Sequence, residues 1–363
     1  LFREDVSATV ALRKLGEGRL SLELNGVNVA GTAPDLIGTQ KLQGHLPLLL
    51  HPSARKVLHI GFGSGGTAWA VSRHPVDQIV IAELSPEVLE VSNQALREVN
   101  HGVLDDPRVR VEINDGRNFV LATPESFDVI LSDSIHPRYA GNGSLYTKDY
   151  FELCRRKLAP GGVISMWLPM YSLTGENFLM ILRAFQDVFP NTTVWYVPNA
   201  PNAFTIVIGR LEEGPIDFDR LQQGFEGEVA EELAGIGIEN AFDLASALLI
   251  DPQGLAELTA GTPPHVDDLP AVEYESGRLM DREGSWLSNF ILLARAMTPL
   301  PRAFTGVDDQ ELEEVSRVRG ERIVEHLRWL DEQIRRERRL QSGPPPAEGT
   351  PQQEGGAGAG TSP

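Results

Sequence analysis

One cysteine, Cys154, serves a chain of 363 residues, which excludes an internal disulfide framework and any cysteine-rich metal site. Basic residues are few: 32 Lys and Arg stand against 51 Asp and Glu, a formal net charge of −19. That balance argues against nucleic acid as a partner, because phosphate affinity needs clustered cations. No uninterrupted run of about 18 apolar residues occurs, so no segment reads as a membrane-spanning helix. The eight histidines fall into no HExxH or comparable ligand spacing, and no metal site is expected. Neither a secretory leader nor an internal repeat is visible. What remains is a chain that is 41% hydrophobic, enough to build the core of one large domain or two ordinary ones. Cys154 sits in a helix-like run, YFELCRRKL, and reads as a core thiol.

Four regions follow from the patterning. Residues 1–50 form a β-rich region of strands and turns: VSATVALRK and RLSLELNGVNVAG alternate apolar and polar residues, and Asn25-Gly26 is a hairpin signal. Residues 51–210 alternate apolar strand-like runs with helical ones, from KVLHIGF and GTAWAVSRH through GGVISMWLP and TGENFLMILRAFQDVF. That alternation predicts an α/β domain with a mostly parallel sheet covered on both faces. TTVWYVP and FTIVIGR lack a helix between them and predict an antiparallel hairpin at one edge. Residues 211–340 read as an acidic, mainly helical extension that ends in one long charged helix over 308–340. Leu312, Val315, Val318, Ile323, Leu327 and Leu330 mark its packed face. The tail 341–363, rich in Pro, Gly and Ala, is expected to be disordered.

Ligand-type residues recur at the predicted strand ends. In VLHIGFGSGG, Gly61, Gly63 and Gly66 satisfy the spacing of a nucleotide-binding turn, which fits NAD or an adenosyl-sulfonium ligand equally well. Glu83 ends the next strand and suits two ribose hydroxyls; Ser85 and Pro86 read as cap and first turn of the helix behind it. Asp115 ends the third strand, within reach of an adenine amino group, and Gly116 opens the following helix. Asp133 ends the fourth, ahead of the loop RYAGNGS, which reads as a lid over substrate. Each residue also has a structural reading, as a tight turn, a first-turn helix charge, a helix cap or a loop brace.

Taken in order, DLIGTQKLQGHLPL, the glycine loop, Glu83, DGRNF, FDVILSDSIHP, SLYTKDYF and LAPGGVI resemble the spermidine synthase (aminopropyltransferase) family over roughly residues 5–210. The resemblance implies the Rossmann-like fold of S-adenosylmethionine-dependent methyltransferases. It implies transfer of an aminopropyl group from decarboxylated S-adenosylmethionine, as co-substrate, to a small-molecule amine, with no prosthetic group. Asp133 matches the family's base. Gly61, Gly63, Ser64, Glu83, Asp115 and Gly116 match its nucleoside site, and Gln40, Ser134 and His136 its amine site. The chain is most similar to bacterial spermidine synthase-like proteins whose soluble domain follows a membrane-spanning half, and HVDDLPAVEY (265–274) resembles a feature of that subgroup. This implies a cytoplasmic domain, one that in the longer protein is membrane-anchored, and it leaves a homodimer open.

The sequence also departs from the family pattern. His136 stands where the family has a second acid, Ser64 where it has an Asp in the glycine loop, Thr39 where it has Tyr, and Ala200 at the place of a later Tyr. The nucleoside half is kept and the amine half rebuilt, which counts against putrescine as acceptor. Loss of the acid at Ser64 also removes what would repel the carboxylate of intact S-adenosylmethionine, so a methyltransferase stays open as an alternative. So do a non-catalytic nucleoside-binding domain and an NAD-dependent dehydrogenase.

Overall fold

A computed structural model describes residues 1–197, 202–276 and 281–341. The chain opens with an antiparallel sheet of β1 (Phe2–Glu4), β2 (Thr9–Lys14), β3 (Leu20–Leu24) and β4 (Val27–Gly31). Asn25 and Gly26 turn its last hairpin with φ values of 50° and 78°, as an Asn-Gly pair does readily. The β-rich region stops there. Residues 34–50, expected as strands and turns, form helix α1 (Pro34–Leu50), which starts with a proline at its first position and buries His45 to Leu50. Its second half is buried all round, Gln43 and His45 included, because α2, β8 and β9 enclose it.

The central unit then runs β5 (Lys56–Ile60), α2 (Gly66–Ser72), β6 (Gln78–Glu83), α3 (Pro86–Ala95), α4 (Arg97–Asn100), β7 (Val109–Ile113), α5 (Gly116–Ala122), β8 (Phe127–Ser132), α6 (Lys148–Lys157), β9 (Leu158–Pro169), α7 (Gly175–Val188), β10 (Asn191–Trp195) and β11 (Phe204–Arg210). Strands β9, β8, β5, β6 and β7 lie in that order and are parallel. Their interior members are apolar along almost their whole length, since helices cover both faces. Edge strand β7 carries Arg110 and Glu112, which pair with each other, and Arg110 also holds Glu125, a charged border that blunts an open edge. Cys154 is fully buried, and burial pushes its thiol up to about 12, so it is an inert core residue.

The antiparallel hairpin β10–β11 forms as expected, but it is not the edge. Outside it lies β13 (Leu248–Ile250), from the C-terminal extension. The extension comprises β12 (Ile216–Asp217), α8 (Phe218–Gln223), α9 (Gly227–Ala234), α10 (Ala241–Ser246), β13, α11 (Pro252–Leu258), α12 (Ala271–Ser276), α13 (Arg282–Arg295), β14 (Phe304–Thr305) and α14 (Asp309–Gln341). In α14, Leu312, Ile323 and Leu330 are buried as the spacing predicts. Arg319 is buried as well: its guanidinium donates to the carbonyls of Leu248 and Thr298, fastening the long helix to the end of the sheet. Among the described residues no helix is long and apolar enough to cross a membrane. The disordered tail expected over 341–363 lies outside the described residues from 342 onward, as does Ala200.

Candidate active site

Strands β5, β6 and β7 wind to one side, and β8 and β9 to the other, so the sheet switches direction between β5 and β8. In open α/β sheets the crevice at such a point takes the ligand. Here it opens into a cleft of about 760 Å³, walled by the carboxyl ends of β5 to β9, by the N-terminal sheet and by α1.

The first wall is the glycine loop. Gly61 has φ of +82°, and a Cβ there would lie 2.5 Å from the carbonyl oxygen of Asp133. Only glycine permits that turn against the end of β8. Gly116 is required by contact alone, because a Cβ would overlap the Ile60 side chain. Gly63 lines the cleft beside them.

Glu83 is buried at the end of β6. Its Oε2 accepts the Phe62 N–H at 2.8 Å and its Oε1 the Ser85 N–H at 3.0 Å. Burial raises its pKa above the ordinary carboxylate range, opposed by those main-chain donors. A carboxylate has about four acceptor positions, so two remain for a ligand. Ser85 takes the cap position of α3, but its hydroxyl donates to Asp5 and so ties the N-terminal sheet to the core. Val10, Leu22 and Ala30 of that sheet pack on Val88, Val91 and Leu96. Asp115 lines the cleft and also caps α5, its Oδ1 accepting the Asn118 N–H at 2.8 Å.

At the end of β8, Asp133 Oδ2 accepts the Thr67 hydroxyl at 2.9 Å, with His59 Nε2 3.8 Å away on the buried side. Oδ1 carries no hydrogen bond among the described residues. The side chain is 21% exposed, so the carboxylate is oriented yet reachable. Gln43 lies next to it: its Nε2 donates to the Ser132 carbonyl at 3.2 Å, while its buried Oε1 has no partner among the described residues. Ser134 lines the cleft with its hydroxyl 3.3 Å from that of Ser132.

Two expected residues sit differently from the sequence reading. Ser64 is fully buried and off the cleft wall, because its hydroxyl turns to Gln40 Oε1 at 2.8 Å; only Gln40 of this pair borders the cleft. His136 does border the cleft, but both ring nitrogens are committed. Nδ1 accepts the Arg138 N–H at 3.1 Å, so Nε2 carries the proton and donates to the Tyr171 carbonyl at 2.9 Å. Burial holds its pKa down to about 4. It is a neutral wall residue with no free lone pair.

The loop after Asp133 is braced rather than free. Glu273 accepts the N–H groups of Gly141 and Gly143, both at 3.0 Å. Asp267 receives Arg117 and, at 2.8 Å, the Thr147 hydroxyl. Both acids come from the HVDDLPAVEY segment. Thr67, Gln43, Trp167, Tyr171, Phe204 and Arg282 are cleft or support residues absent from the sequence reading. Trp167 and Tyr171 had a usable signal, since they lie at the same carboxyl edge as Asp133. Arg282 had none, because it starts a helix remote in sequence.

A parallel sheet with acids at successive carboxyl ends, and a cleft at its switch point, defines an α/β protein of the Rossmann-like, S-adenosylmethionine-dependent methyltransferase fold. More narrowly, residues 37–218 match the spermine/spermidine synthase domain, and the chain belongs to that family. It is 36% identical to a polyamine aminopropyltransferase of Nitrosomonas europaea over 146 residues, 40% of this chain and 45% of that protein. It is 42% identical to one of Sodalis glossinidius over 143 residues, 39% of this chain and 49% of that protein. A polyamine aminopropyltransferase of Korarchaeum cryptofilum is 31% identical over 234 residues, 64% of this chain and 72% of that protein. The chain thus spans about half the length of the first two relatives. In fold it is similar to a spermidine synthase solved in complex with the transition-state analogue AdoDATO, with a TM-score of 0.53 and 24% identity, over 64% of this chain and 78% of that one.

Proposed function

We propose that the protein transfers an aminopropyl group from decarboxylated S-adenosylmethionine to a primary amine. The observation that carries this is Asp133, an oriented and reachable carboxylate across the switch point from Glu83 and Asp115. Glu83 and Asp115 take the ribose and adenine, with Gly61, Gly63 and Gly116 admitting the nucleoside to the loop. The amine nitrogen forms a bond to the methylene beside the sulfonium. The carbon–sulfur pair returns to sulfur, and methylthioadenosine leaves. An alkylammonium titrates near ~10.4, so exposing its lone pair at neutral pH costs about 4–5 kcal/mol. Asp133 Oδ1 accepts that proton and holds the nucleophile in line, while Thr67 keeps the carboxylate from turning. Ser64, which favoured intact S-adenosylmethionine in the sequence, makes no wall of the cleft and gives that alternative no support.

The test is release of methylthioadenosine from decarboxylated S-adenosylmethionine with and without a panel of primary amines. Amine-dependent release is the expected result. Methyl transfer from intact S-adenosylmethionine, with no amine-dependent release from the decarboxylated form, would overturn the proposal. Cytoplasmic placement, an upstream membrane segment and a homodimer remain expectations of the same reading. Fractionation of the full-length gene product and light scattering of this chain test them.

A further inference from the structure

Beyond Asp133 the cleft ends among His136, Tyr139, Trp167, Tyr171, Phe204 and Arg282. The rings contact one another, with His136 4.9 Å from Tyr171 and Trp167 5.5 Å from Phe204 between centroids. No carboxylate belongs to this group, and its histidine is neutral because Nδ1 accepts a main-chain N–H. Its one charged member is Arg282, from the first turn of α13. The guanidinium lies 4.3 Å from the centre of the Tyr171 ring. Among the described residues its carboxylate neighbour is Glu283 at 3.8 Å, and its side chain stays 53% exposed. The neighbouring Asp281 is engaged elsewhere, by the Gly284 N–H and by Arg338 at 3.1 Å. The other charged groups of the cleft lie on different walls: Arg19 and Glu23 on the N-terminal sheet, with Glu23 paired to Arg13 at 3.0 Å, Asp35 on α1, and the nucleoside-side acids.

A diamine acceptor carries a cation at both ends. With one nitrogen at Asp133, its far ammonium would lie among aromatic rings already capped by a guanidinium, with no acid among the described residues that line this end of the cleft. A planar guanidinium fork suits a carboxylate instead. We propose that the acceptor is an ω-amino acid: its amine lies at Asp133, its methylene stem along Trp167 and Phe204, and its carboxylate on Arg282. This rests on the aminopropyl-transfer reading and names the acceptor class for the same site.

The test is calorimetric binding to the chain saturated with methylthioadenosine. The probes are β-alanine, 4-aminobutyrate, 5-aminopentanoate and 6-aminohexanoate, against putrescine and cadaverine. At least one amino acid should bind at least tenfold more tightly than either diamine. Arg282→Gln should weaken it by about 10- to 100-fold, the range for loss of a charged hydrogen-bond partner, and Arg282→Glu should turn the preference toward the diamines. Arg282 is largely exposed, so both variants should keep the parent's thermal midpoint. If a diamine binds best and Arg282→Gln leaves it unchanged, the acceptor assignment is wrong while aminopropyl transfer stands. If neither class binds, the assignment is also wrong. If methylthioadenosine itself does not bind, the reading of the whole cleft fails, and this inference with it.

Discussion

The two ends of the cleft are built by opposite means. The nucleoside end is built from strand ends: Gly61, Glu83, Asp115 and Gly116 lie at or just beyond the ends of β5, β6 and β7, and the N–H groups that hold Glu83 and Asp115 come from the turns at those same ends. The acceptor end is assembled from afar. Gln43 comes from α1, Thr67 from α2, Asp133 from β8, Trp167 from β9, Phe204 from β11 and Arg282 from α13. A site made of strand ends keeps its chemistry as long as the sheet forms. A site made of converging elements can be rebuilt by changing any one of them.

Substitutions should separate the two ends. Asp133→Asn is expected to have the largest effect, a fall in turnover of roughly 10²- to 10⁴-fold, because the amide has nearly the same shape but cannot accept the ammonium proton. Methylthioadenosine affinity should stay near the parent value; full turnover in this variant would make Asp133 structural. Glu83→Ala should do the reverse, weakening methylthioadenosine by roughly 1–3 kcal/mol, as read by calorimetry.

Glu83 also predicts a pH dependence. Its folded pKa is raised by burial, so nucleoside affinity should fall with acid at a pH above the ordinary carboxylate range, and Glu83→Gln should abolish that fall. The sign for stability is opposite. A raised folded pKa contributes stability at low pH that is lost as pH rises through the folded value, so the thermal midpoint of the ligand-free parent, relative to that of Glu83→Gln, should be higher at pH 4 than at pH 7. The same difference at both would show that the Phe62 and Ser85 N–H groups offset the desolvation in full.

Smaller effects should sharpen the contrast at the acceptor end. Gln43→Leu removes a buried oxygen that has no partner among the described residues, together with the Nε2 bond to the Ser132 carbonyl, so the fold should lose about 1 kcal/mol. Amine affinity should drop about tenfold, the scale of roughly one neutral hydrogen bond, with methylthioadenosine binding unaffected; equal losses for both ligands would mean a general disturbance of α1. Glu273→Ala, which frees the N–H groups of Gly141 and Gly143, should be the mildest. Faster amide exchange at those two positions, with a rise of a few-fold in the KM for amine, is the expected outcome, and unchanged exchange would show that the loop is held by other contacts.

Legibility followed the same division. Alternating runs and glycine turns gave the α/β sheet and the four strand-end residues, because strand, turn and helix signals are contiguous there. Residues 34–50 were misread as strands and turns although Pro34 marks a helix start. Their apolar stretch lacks a helical stripe because α1 is enclosed on all sides in its second half. Strand β13 was missed because three residues carry no period, and it exists only by pairing with β10. Arg319 looked like part of a solvated charged helix, and only the packing of α14 on the end of the sheet buries it.

What the sequence by itself determined is the alternation of strands and helices from β5 to β11 and the identity of the groups at the carboxyl ends of the parallel strands, since local pattern and turn chemistry dictate both. It also determined the family, through motifs contained in single segments. What only the tertiary structure decided is where those groups point and what stands beside them. Ser64 turns away to Gln40, and His136 spends both nitrogens on main chain. The loop after Asp133 is clamped by Glu273 and Asp267, and Arg282 arrives at the acceptor end from α13. Each depends on contacts between segments far apart in the chain, and no local spacing encodes them.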